Sequence, residues 1–165
     1  MARAAVDGGR GQSPRLRSDG VRLSAVTPGA AAGGCYTAVM AAQKSLMILI
    51  AGPYRSGTGD DPGKLAANVA AMEALALPLF RAGHVPVVGE WLALPLCQLA
   101  GSTRVGDAAF QEVFHPIAER LLEHCDAVLR VGGASQGADL MVATAERLGL
   151  AVYRRLEEVP GCGAG

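Results

Sequence analysis

From residue 44 onward, short apolar runs that end near glycine alternate with longer stretches of helical period. "SLMILIAG" (45–52), "HVPVVG" (84–89), "DAVLRVGG" (126–133) and "LAVYRRL" (150–156) read as strands. Short apolar runs bounded by turn residues suit strands covered on both faces. Between the first two lies "PGKLAANVAAMEALALPLFRAG" (62–83). It sets Leu65, Val69, Met72, Leu75 and Leu79 at three- or four-residue steps, one face of a helix. Asp60 or Asp61 before Pro62 suits the start of that helix, and Gly83 suits its end. "EWLALPLCQLAG" (90–101) reads as a short helix despite Pro95. "DAAFQEVFHPIAERLLEHC" (107–125) reads as a longer helix interrupted near Pro116, and "GADLMVATAERLG" (137–149) as the last. Strand and helix alternating in this way predicts a layered α/β fold with a mostly parallel sheet.

Residues 1–43 are of another kind. The first forty hold five arginines against two aspartates and seven glycines, with no apolar period. Such a segment buries too little apolar surface to offset its ordering entropy, so a disordered tail is expected. A plain tail or an over-extended start ahead of Met40 or Met47, a targeting peptide, and a basic arm all fit it. The domain itself is expected over 44–160, with 161–165 as a flexible end.

The chain as a whole has no formal net charge and is only 4% aromatic. That disfavours nucleic acid as a partner, whether held by charge or by stacking many bases. The apolar run Leu46–Ala51 is far too short to span a bilayer, so no membrane partner is expected. Cys35, Cys97, Cys125 and Cys162 lack metal-ligand spacing, as do His84, His115 and His124, and no metal or other cofactor is implied. Cys97 and Cys125 read as buried reduced thiols, which fits a cytoplasmic setting. The three histidines read as structural.

Parallel α/β sheets bind ligands beyond the carboxyl ends of their strands, and two glycine-rich loops are expected at that edge. The first, "AGPYRSGTGDDPGK" (51–64), offers Gly52, Tyr54, Arg55, Ser56 and Gly57. Small residues let backbone approach a ligand, an arginine fork suits phosphate, and a tyrosine can stack on a ring or base. The second, "GGASQGAD" (132–139), offers Gly133, Ser135 and Gly137 just before a helix, whose positive end favours an anion. "GEW" (89–91) adds Glu90 and Trp91, which could hold a sugar hydroxyl and a flat ring. Neither loop has the spacing of a Walker loop or a dinucleotide fingerprint.

From Leu46 to about Pro160 the chain resembles the nucleoside 2-deoxyribosyltransferase superfamily, and looks closest to its small uncharacterised branch. "ILIAGPYRSG", "AGHVPVVGEW" and "CDAVLRVGGASQGADLMVATAERLGLAVY" carry the resemblance. It implies a flavodoxin-like, Rossmann-like three-layer sandwich, a homodimer, and a nucleotide or nucleoside as the small-molecule partner. It further implies cleavage of the N-glycosidic bond of deoxynucleosides or their 5′-monophosphates, by hydrolysis or by transfer. Gly52, Tyr54 and Arg55 then fall in the first ligand loop, Asp126 matches the acid before the third strand, and Ser135 and Gly137 match the phosphate loop. The superfamily's attacking glutamate lies four residues after that glycine, where this chain has Met141. A thioether cannot act as a carboxylate nucleophile. Glu90, with Asp139 as its partner carboxylate and Tyr54 assisting, is the replacement the sequence offers. Asp139 stands two helical steps from position 141, about 200° away, and so points elsewhere than that side chain. "GGASQGAD" also resembles nucleotide-sensing Rossmannoid domains related to lysine-decarboxylase-like and DNA-processing proteins. That likeness implies binding without turnover, with Asp139 as part of the motif.

Overall fold

The computed structural model describes residues 44–163. The predicted tail, 1–43, and the last two residues of the predicted flexible end lie outside them. Four strands, β1 (Met47–Ala51), β2 (Val85–Val88), β3 (Ala127–Arg130) and β4 (Ala151–Tyr153), form one sheet in the order β2-β1-β3-β4. Every pairing is parallel. The helices are α1 (Pro62–Glu73), α2 (Ala76–Arg81), α3 (Glu90–Leu99), α4 (Ala108–Leu122) and α5 (Gln136–Leu148). The fold is the α/β sandwich of the flavodoxin or Rossmann type.

Alternation along β1 divides the core. Leu49 and Ala51 face Leu122 of α4 and Ala138, Met141, Val142 and Ala145 of α5. Ile48 and Ile50 face Met72 of α1, Leu79 of α2 and Val159 beyond β4. A strand with both faces covered must be apolar at every position, which is why "MILIA" is unbroken.

Two helices depart from expectation. The single helix predicted over 62–83 is two, parted at Ala74–Leu75. Pro78 has no N–H to give the Ala74 carbonyl, and its ring crowds that carbonyl. Conversely, α4 runs through Pro116 without the predicted interruption. Phe110, Phe114 and Leu122 are buried along it, and that packing outweighs one lost hydrogen bond.

At the opposite end of the sheet from the glycine loops, side chains tie the chain to itself. Asp126 accepts from the Met47 N–H (2.9 Å) and from Lys44 Nζ (2.7 Å), anchoring the start of β1. Cys97 and Cys125 are buried free thiols.

Candidate functional site

The strand order turns at β1, with β2 on one side and β3 on the other, and a crevice beyond the carboxyl ends follows from that topology. It is occupied by a cavity of about 480 Å³, between the tops of α4 and α5. Pockets of a few hundred Å³ suit small organic ligands.

Among the described residues, Glu90 supplies the cavity's one carboxyl. It is the first residue of α3, 8% exposed, and lines the space between the end of β2 and α4. Burial pushes it up to about 7, against only its own backbone N–H holding it down. Desolvation therefore outweighs the helix N-terminus, which by itself favours the charged form.

An aromatic wall faces it. Tyr54 stacks on Phe114 with centroids 4.9 Å apart, and Phe114 on Phe110 at 4.4 Å. Burial, and then the nearby Glu90 charge, raise the Tyr54 hydroxyl above its usual range. The loop that carries Tyr54 is held by its own contacts. Asn68 Nδ2 donates to the Tyr54 carbonyl (2.8 Å), and buried Thr58 donates to the Arg55 carbonyl (2.7 Å). Arg55 stands at the rim, its guanidinium doubly bonded to Asp60 (2.5 and 2.7 Å). Asp60 has φ +62°, an unusual conformation for a non-glycine residue.

The third wall is the start of α5. Ser135 is buried in extended geometry and caps the helix by accepting from the Ala138 N–H (3.3 Å). Ser135, Gln136 and Gly137 line the cavity, and Met141 forms part of its floor. A Cβ on Gly137 would stand 3.0 Å from His115 Cε1, so this glycine lets α5 approach α4. Gly52 serves packing in the same way, since a Cβ there would come within 2.9 Å of Met72.

Of the residues singled out in the sequence, Gly52, Tyr54, Arg55, Ser56, Glu90, Ser135, Gly137 and Met141 line one cavity. Four do not. Gly57 is exposed in the outer part of its loop, and Gly133 is exposed on the far side of the second. Trp91 is 44% exposed, and its indole N–H donates to Glu73 (2.7 Å). Its neighbour Glu90 points inward, and one helical step of about 100° turns Trp91 out. Asp139 is no partner for Glu90. It is exposed and bonded to Arg130 (3.0 Å), away from the cavity. Conversely, His115, Phe110 and Phe114 line the cavity, although no site role is expected for them from the sequence. His115 has no local signature, because α4 packing against α5 brings it there. Phe110 and Phe114, four residues apart on one helix face, were the available signal.

Among the described residues no cluster of histidine, cysteine and carboxylate side chains is placed to hold a metal. Comparison of the chain with family models, with curated proteins and with solved structures finds no match in any of the three.

Proposed function

We propose that the cavity binds a nucleoside or nucleotide and that Glu90 is its working carboxylate, in cleavage of the N-glycosidic bond. What carries this reading is the buried Glu90 carboxyl, set in one cavity with a stacked aromatic wall and a helix N-terminus. The aromatic wall suits a base, and the start of α5 with Arg55 suits a phosphate. Ionised Glu90 attacks the anomeric carbon while the bond to the base breaks. The base leaves with the bonding electrons and takes a proton, for which the Tyr54 hydroxyl is the donor in place of a second carboxylate. Water then displaces the carboxylate from the sugar and returns a proton to Tyr54.

Base release from a panel of deoxynucleoside 5′-monophosphates tests this. Release is expected to rise with pH through about 7, as Glu90 ionises. Glu90→Gln is expected to abolish it and to leave ligand binding in place. A second reading, binding without turnover, is favoured by Met141, whose side chain lies on the cavity floor where the resemblance implies a carboxylate. Thermal stabilisation by the same ligands without any free base supports that reading and rejects the first. Neither stabilisation nor release rejects both.

A further inference from the structure

Arg130, the last residue of β3, has a side chain only 10% exposed, yet it lies outside the cavity. Its guanidinium gathers one short segment. Nη1 donates to the carbonyls of Val131 and Gly132, Nη2 to that of Gly133 (2.7 Å), and Nε to Asp139 Oδ1 (3.0 Å). In a planar trans peptide the N–H points opposite the carbonyl, so the next three N–H groups turn away from the guanidinium. Asp139 lies in the first turn of α5, so the same fork joins strand end, loop and helix start. The loop is confined from its other side as well. Gly132 has φ +73°, and a Cβ there would meet Pro53 of the first loop at 2.7 Å.

We propose that Arg130 is a positioning residue for the anion-facing end of the cavity. By holding the carbonyls of 131–133 and Asp139, it sets where Ser135 and the N–H groups of Gln136 and Gly137 stand. This rests on the reading that the start of α5 receives the ligand's phosphate. Arg130 does not touch the ligand, and its charge is balanced by Asp139. What it contributes is a planar fork with several donors, which a lysine's single ammonium cannot reproduce.

The test compares wild type with Arg130→Met and Arg130→Lys, first by hydrogen exchange and then by calorimetric titration with a deoxynucleoside and its 5′-monophosphate. In Arg130→Met, exchange over 132–138 is expected to quicken while α1 and α4 keep their protection. Unchanged exchange, or loss of protection throughout, overturns the brace whether or not any ligand binds. In the titration, the affinity gained from the phosphate is expected to fall about tenfold or more, the size expected for lost charge-assisted hydrogen bonds. Affinity for the nucleoside is expected to stay unchanged, and Arg130→Lys to recover little of the loss. Equal weakening of both ligands marks a merely structural role and overturns the proposal, as does full recovery with lysine. If wild type binds neither ligand, the cavity reading fails, and the exchange result alone decides the brace.

Discussion

Glu90→Gln is expected to be more stable than wild type at pH 8, and the gap is expected to close as the pH is lowered to 4. The Glu90 carboxyl titrates near 4.5 when ordinary and is pushed up to about 7 in the folded protein. A raised acid favours the fold in its protonated form. That contribution is whole below 4.5, and it is lost as the pH rises to about 7, because the unfolded chain ionises first. Beyond about 7 both states are ionised and the loss is complete. The difference corresponds to about 3 kcal/mol between the two ends of the window, on the order of 10 °C in Tm for a domain of this size. Glutamine has nearly the same shape and no charge, so it lacks this slope. The depressed carboxylates work in the other direction. Asp107, held at about 2 by the N–H groups of Phe110 and Thr103, contributes stability that is lost only as the medium becomes strongly acidic. It is common to both proteins, so their difference isolates Glu90. Thermal melts of both proteins from pH 4 to 8 check this, and an equal gap at both ends contradicts a buried, ionisation-resistant Glu90.

His84→Leu is expected to cost about 2–4 kcal/mol, because it strands two backbone groups at once. His84 is 2% exposed. Its Nδ1 accepts from the Leu46 N–H (3.2 Å) and its Nε2 lies 2.7 Å from the Pro160 carbonyl. An N–H can only donate and a carbonyl can only accept, so the ring is the tautomer with its proton on Nε2. The imidazole thereby ties the residue before β1 to the chain beyond β4, across the same face on which Val159 is buried. Leucine fills comparable space and satisfies neither group, so lost hydrogen bonding rather than lost volume is measured. Chemical denaturation reads the loss. A change below about 1 kcal/mol would mean that water or rearrangement satisfies both groups. The effect is confined to stability, since His84 is not among the cavity residues.

The layered fold was legible because both sheet faces are covered, and strands such as "MILIA" then announce themselves by composition. The break after Glu73 and the continuity through Pro116 were not. A proline's local penalty is the same in both places, and the tertiary packing that decides the outcome is not written in the local pattern. Of the residues that line the cavity, Glu90, Tyr54, Ser135 and Gly137 follow from the rule that ligands sit at carboxyl strand ends, and Met141 from the resemblance alone. Trp91 and Asp139 lie off the cavity for different reasons: one helical step turns Trp91 away from Glu90, and Arg130 holds Asp139 outside the cavity. Arg130 left no trace in the pattern, since three of its acceptors are backbone carbonyls that any residue could offer.

Nucleotide binding in the cavity at the head of β1 is tested most directly by methyl resonances of isotope-labelled methionine. Met141 forms part of the cavity floor, and Met47, at the start of β1, does not line it. On titration with a deoxynucleoside 5′-monophosphate, the Met141 methyl signal is expected to move and saturate while that of Met47 stays. A Met141 signal that holds still at ligand concentrations that stabilise the protein contradicts nucleotide binding in this cavity.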